Sequence, residues 1–163
     1  MKFKRVVVKI GSSTLTAGTK MLSQARIIDL VRAICLLSQS GCQVVVVSSG
    51  AIAAGREQLG YPDLPKFIPA KQMLAAIGQP RLMALYEQFF GIYQVHVAQV
   101  VLTRSDLSDR RRFLNARNTL EGLMIQQVIP IINENDTVAT EEIRFGDNDN
   151  LSAQDANLIE ADM

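Results

Sequence analysis

Two rhythms of apolar residues run along this chain and hand over to one another at glycines and polar clusters. Phe3 to Ile10, Gln43 to Val47, Gln94 to Leu102 and Val128 to Ile132 are short segments rich in valine and isoleucine. Their apolar residues do not alternate strictly with polar ones, so each reads as a strand covered on both faces. Between them the spacing becomes helical. Ser23 can cap a helix whose apolar positions Ile27, Leu30, Val31, Ile34 and Leu37 share one face, and Gly41 ends it. Ala51 to Leu59 also reads as helix, followed by a loop at Gly60-Tyr61-Pro62 and Pro65. A longer helix is expected over Ala70 to Phe90, with a break or kink at Gly78-Gln79-Pro80. Another is expected over Asp109 to Gln126, and a loop and a final helix over Asp147 to Asp162.

Strands that alternate with helices predict an α/β fold: three layers, αβα, around a mainly parallel sheet. Crossovers of right hand are expected, with any ligand beyond the carboxyl ends of the strands. Those ends carry Gly11-Ser12-Ser13, Ser48-Ser49-Gly50, Thr103-Arg104-Ser105-Asp106 and Asn133-Glu134-Asn135-Asp136. Polar and glycine residues thus gather where the architecture puts a site.

Composition narrows the possibilities. At 163 residues the chain can bury one real core, and no internal repeat divides it. Hydrophobic residues at 48% and charged ones at 20% describe a globular protein and not a disordered one. A net charge of +1 gives no overall field for nucleic acid or an anionic membrane, so a ligand must be held by local chemistry. No apolar run approaches the roughly 18 residues that span a bilayer. The three valines before Lys9 are too few for a signal peptide, and a cytoplasmic location is expected. Cys35 and Cys42 form no Cys-x-x-Cys pair and read as buried, reduced thiols.

Four segments carry candidate chemistry. Lys9 stands two residues before Gly11 at a strand end. A lysine and backbone N–H groups there can stabilise a phosphoryl group in transfer, and a glycine permits close approach. The spacing matches neither a Walker A loop nor a dinucleotide fingerprint. An ordinary strand-to-helix loop with an exposed lysine fits the same residues. Ser48-Ser49-Gly50-Ala51 leads into a helix whose first amides can hold a carboxylate or phosphate, and a tight turn closed by small residues fits it equally. The loops Asn133 to Asp136 and Gly146 to Asn150 together carry four acids and four amides. They can hold an ammonium group, orient a lysine or ligate Mg²⁺, and turn chemistry alone also favours these residue types. A calcium loop is disfavoured because Gly146 precedes the acids and no glutamate closes a twelve-residue span. His96, the only histidine, reads as structural, Met73, Met83 and Met124 as core filler, and Arg110-Arg111-Arg112 as a solvated helix face.

Taken together, these segments resemble the amino-acid kinase family. The resemblance rests on Val7-Val8-Lys9-Ile10-Gly11-Ser12-Ser13, Ser48-Ser49-Gly50-Ala51-Ile52-Ala53-Ala54-Gly55-Arg56, Phe113-Leu114-Asn115-Ala116-Arg117, Pro130-Ile131-Ile132-Asn133-Glu134-Asn135-Asp136 and Gly146-Asp147-Asn148-Asp149-Asn150-Leu151-Ser152-Ala153. It covers nearly the whole chain, and its second and fourth segments look like the members acting on glutamate. What it implies is a carbamate-kinase-like fold and transfer of a phosphoryl group from ATP, with Mg²⁺ on the nucleotide, to the side-chain carboxylate of L-glutamate. By the same resemblance Lys9 and Asp149 are catalytic, Asp149 orienting lysines. Lys9, Gly11 and Ser12 meet the nucleotide. Ser49, Gly50, Asp136, Asp147 and Asn148 bind glutamate, and no protein-held metal is expected. Proline as a feedback inhibitor and a homo-oligomer are further implications. Residues 1–163 then correspond to an amino-terminal, glutamate-binding lobe without the family's nucleotide-binding lobe. An unpaired sheet edge and bare helix faces are expected, and little or no catalysis is expected of this piece alone. Two other readings stay open: a non-catalytic module that binds glutamate or proline, and a kinase of the same family acting on aspartate or acetylglutamate.

Overall fold

The computed structural model describes residues 4–65, 67–139 and 157–162. The first strand, β1 (Arg5–Ile10), ends at Gly11 and passes through a short helix, α1 (Ser12–Leu15), into α2 (Gln24–Gln39). Ser23 caps α2 as its residue type predicts, its hydroxyl accepting from the Arg26 amide. Strand β2 (Gln43–Ser48) follows, then α3 (Ala51–Gln58) and the long α4 (Ile68–Gly91). Strand β3 (Val97–Leu102), helices α5 (Arg104–Ser108) and α6 (Arg110–Ile125), and strand β4 (Ile129–Glu134) complete the order.

All pairings are parallel, in the order β1-β2-β4-β3. Moving from β1 to β2 and from β2 to β3 advances across the sheet, and moving from β3 to β4 steps back. A single hand of crossover must therefore place α2 and α4 on one face and α6 on the other. The core has that division. Val6, Ile10, Val44, Val46, Ile129 and Ile131 pack with Ile27, Val31 and Ile34 of α2 and with Leu82, Tyr86 and Phe90 of α4. On the opposite face Val45, Val47 and Ile132 pack with Leu120 and Met124 of α6 and with Leu158 and Ile159. The sheet lies between two helical layers, as expected, and the central strands β2 and β4 are buried at nearly every position. Cys35 and Cys42 are buried free thiols, as expected.

Two expectations need correcting. Of the break or kink expected at Gly78-Gln79-Pro80, the break is absent, because α4 runs continuously through Pro80. Proline removes the amide that would bond to the carbonyl four residues back, and its ring crowds that carbonyl. That residue, Ala76, is exposed, so water can satisfy its carbonyl. Gly78 meanwhile is needed where α4 crosses α3. A Cβ there would stand 1.8 Å from the Ala51 carbonyl oxygen, and one on Gly55 would stand 2.0 Å from that of Leu74. The two backbones touch, and only glycine fits on both sides. The second correction concerns Asn133 and Glu134, which belong to β4 and pair with Val101 and Leu102 instead of lying in a loop. Both are buried.

Segment 157–162 runs beside β1. The Asp162 carboxylate accepts the Lys4 and Arg5 amides at 2.7 and 2.9 Å, and the Asp162 amide donates to the Arg5 carbonyl at 2.9 Å. The Arg5 guanidinium reaches Ile159 O and Gln43 Oε1. These amide bonds hold the Asp162 carboxyl below its usual range. The expected loop and helix over Asp147 to Asp162 otherwise fall outside the described residues.

Candidate functional site

Three turns meet at the carboxyl edge of the sheet. Lys9 is exposed near the end of β1, with Gly11 extended after it and Ser12 and Ser13 exposed at the start of α1. In register, Lys9 lies opposite Val47 of β2, which lies opposite Ile132 of β4. Two strand spacings of about 4.8 Å each put the ends of β1 and β4 roughly 10 Å apart. The Ser49 amide donates to Ile10 O at 3.0 Å, which ties the second turn directly to the first.

Gly50 occupies the left-handed region at φ +103°, where a side chain is strained, and a Cβ there would stand 2.9 Å from Leu15 Cδ1. This conformation starts α3 one residue after Gly50. The Ser48 hydroxyl holds the strand end below it. Ser48 Oγ lies 3.1 Å from Ser49 O, to which it donates, and 2.9 Å from the buried Tyr86 hydroxyl of α4. Burial pushes the Tyr86 phenol up to about 12, against a smaller lowering by Ser48.

The third turn follows β4. Asn135 anchors it by donating its amide to Leu102 O at 2.9 Å and accepting from the Ala139 amide, and Asp136 sits half-buried within it. A cavity of about 260 Å³ opens here, walled by Ala51, Ala75, Gln79, Val101, Glu134 and Asp136 among others. It therefore joins the start of α3, beside Gly50, to the turn that carries Asp136.

Gln79, which the sequence motifs do not include, lines this cavity beside Glu134 and is tied to Asn133 of the motif. Asn133 Oδ1 accepts from the Glu134 amide at 2.9 Å, and Asn133 Nδ2 donates to Gln79 Oε1 at 2.7 Å. The Glu134 amide fixes which end of Asn133 is oxygen, and Asn133 in turn fixes Gln79. Gln79 Nε2 is left buried without a hydrogen-bond partner among the described residues. Nothing in the spacing marks Gln79, since the Gly-Gln-Pro run reads as a helix break. Beyond β3, the Thr103-x-x-Asp106 capping box starts α5, and Arg112 bonds to Asp106 at 2.9 Å. The Thr103 hydroxyl, with the Thr103 amide and Arg112, lowers the Asp106 carboxyl.

Of the expected site residues, Lys9, Gly11, Ser12, Ser49, Gly50 and Asp136 come together at one edge of the sheet. Asp147, Asn148 and Asp149 lie outside the described residues. Among the described residues no group of three His, Cys, Asp or Glu could hold a metal ion. A Mg²⁺ carried on nucleotide phosphates needs no such cage, and the exposed lysine and hydroxyls at residues 9–13 suit phosphate oxygens. No helix among the described residues is long and apolar enough to cross a membrane.

Comparison with known sequences places this geometry. The profile of the amino acid kinase family matches residues 4–163. Glutamate 5-kinase of Photorhabdus laumondii subsp. laumondii is 58% identical over 157 residues, which are 96% of this chain and 43% of that protein. Glutamate 5-kinase of Shewanella amazonensis is 56% identical over 161 residues, 99% of this chain and 42% of that protein. Glutamate 5-kinase of Escherichia coli O1:K1 / APEC is 57% identical over 157 residues, with 96% and 43% covered. The chain thus spans less than half the length of the relatives it matches.

Proposed function

This chain belongs to the amino acid kinase family, and from that premise we propose that it forms the amino-acid-binding part of a glutamate 5-kinase. The reaction is ATP + L-glutamate → ADP + L-glutamyl 5-phosphate, the first step towards proline. An oxygen of the glutamate side-chain carboxylate bonds to the γ-phosphorus while the bond from that phosphorus to the bridging oxygen of ADP breaks.

The observation that carries the proposal is the meeting of the Lys9, Ser49-Gly50 and Asp136 turns at one sheet edge beside a cavity of about 260 Å³. In this reading Asp136 faces the ammonium group of the amino acid, and the Ser49-Gly50 turn and first amides of α3 receive the ligand next to it. Lys9, with the backbone of Gly11 and Ser12, faces the transferring group and offsets the charge that builds on its oxygens. ATP with Mg²⁺ supplies the phosphoryl group. Asp147 and Asn148 take the remaining contacts to glutamate, and Asp149 orients the lysine, by resemblance. A side-chain carboxylate with a pKa of about 4.3 is ionised at neutral pH, so no general base is needed. The work left to the protein is alignment of two anions and charge neutralisation. Proline inhibits, in this reading, by occupying the same amino-acid site, and a homo-oligomer is the expected state.

Calorimetric titration of the chain with L-glutamate, followed by a turnover assay with ATP and Mg²⁺, tests the proposal. Saturable binding of L-glutamate that is weakened by Asp136→Ala and competed by proline is the expected result. Binding without turnover supports a glutamate-binding module in place of a self-sufficient enzyme. Preference for aspartate or acetylglutamate over glutamate overturns the substrate assignment.

A further inference from the structure

We propose that Gln79 is a specificity-determining residue that reads the α-carboxylate of the bound amino acid; this rests on the glutamate-site reading above. Gln79 lies on α4 in the wall of the cavity that also presents Asp136 and Ala51. Its carbonyl is engaged by Asn133 Nδ2 at 2.7 Å, and Asn133 cannot turn over without abandoning the Glu134 amide. The amide nitrogen therefore cannot exchange places with the oxygen. It is left as a buried donor with two hydrogens and no partner among the described residues.

A buried donor without a partner is costly, and each one in a native fold calls for an occupant, a water or a ligand group. The chemistry of the wall says what. Asp136 suits a cation and Gln79 Nε2 suits an acceptor, so an ammonium beside a carboxylate fits the pair, which is the head of an α-amino acid. Lys9 stands at the far end of the edge, on β1, where the side-chain carboxylate would have to point. Gln79 therefore acts on binding of the amino acid's head and not on the transfer step.

The test compares two ligands on the whole chain by calorimetry: L-glutamate and L-isoglutamine, which has a carboxamide in place of the α-carboxylate. Gln79→Glu sets a carboxylate against the α-carboxylate of L-glutamate and offers an acceptor to the carboxamide of L-isoglutamine. The affinity ratio, glutamate over isoglutamine, is expected to fall about tenfold or more, since a charge-assisted bond is replaced by repulsion. An unchanged ratio, with both ligands weakened alike or neither affected, overturns the inference and points to a structural role for Gln79. If the unaltered chain binds no L-glutamate, the site reading itself fails, and that arm involves no variant. Should Gln79→Glu not fold, the side-chain amide resonances of Gln79 in the unaltered protein decide the matter. They shift on addition of L-glutamate if the donor is used and stay in place if it is not.

Discussion

Replacing Gly78 by alanine is the sharpest perturbation of the scaffold behind the site, because two effects of opposite sign compete and their sizes differ. Inside a helix, alanine is favoured over glycine by about 1 kcal/mol. Against that, the new Cβ would stand 1.8 Å from Ala51 O and 2.4 Å from the Gly55 nitrogen. A carbon rests about 3.3 Å from a carbonyl oxygen, so α3 and α4 would have to part by roughly 1.5 Å. Overpacking of this kind costs about 1–3 kcal/mol, and here the obstacle is backbone, so the upper end applies. A net loss of about 2 kcal/mol is expected, which lowers the melting temperature by about 4–8 °C. Gly122, exposed in α6 with nothing within 4 Å of a built Cβ, supplies the control. Gly122→Ala should stabilise by up to about 1 kcal/mol, since only the propensity difference acts. Urea unfolding of both variants, with L-glutamate titration alongside, reads the result. Gly78→Ala should also weaken L-glutamate binding, because the displaced residue is Ala51 at the cavity wall. Equal stabilisation by the two substitutions would refute the argument that the helices touch through their backbones.

Three further outcomes follow from the same edge of the sheet. Tyr86→Phe removes the hydroxyl that bonds to Ser48 and should cost about 1 kcal/mol in urea unfolding at pH 7. The folded phenol titrates at about 12, above its ordinary value of 10.0, so this contribution is intact below about pH 10 and should fade as pH rises from there towards 12. Gly50→Ala forces a side chain into φ +103° and against Leu15; a loss of about 1–3 kcal/mol and weaker L-glutamate binding are expected, and unchanged values would show that the turn relaxes freely. Asp106 is held below its usual range by Thr103 and Arg112, so its contribution is present above about pH 4 and lost as pH falls through the depressed folded value. The stability gap between the native protein and Asp106→Asn should close over that acid range in thermal melts.

Much of the fold was legible because its signals are local. The β-branched runs at Val6–Val8 and Val44–Val47 are strands, Ser23 caps the helix it was expected to cap, and alternation of strand and helix led to a parallel sheet with two covered faces. What failed was decided by contacts distant in sequence. Proline at position 80 is tolerated because α4 is held against α3 and the sheet, where packing outweighs one missing hydrogen bond. Asn133 and Glu134 look like loop residues by type, yet they extend a central strand into the floor of the site, and only their ladder partners on β3 reveal it. The Thr103 to Asp106 capping box is visible in the sequence, but a five-residue helix leaves no periodicity to support it. The candidate site was legible as three motifs at strand ends, which the parallel register brings to one edge of the sheet. Gln79 was invisible, because its hydrogen bond to Asn133 joins residues 54 positions apart.

The Asp162 carboxylate against the Lys4 and Arg5 amides joins partners up to 158 residues apart. A ribosome delivers β1 early and Asp162 much later, so through most of that synthesis those two amides can bond only to water. Closing so long a loop is slow and entropically unfavourable until β2 and β4 already hold the sheet together. The outer border of β1 is therefore among the later stretches of this molecule to set, and a nascent chain halted before Asp162 would expose it to whatever strand drifts past.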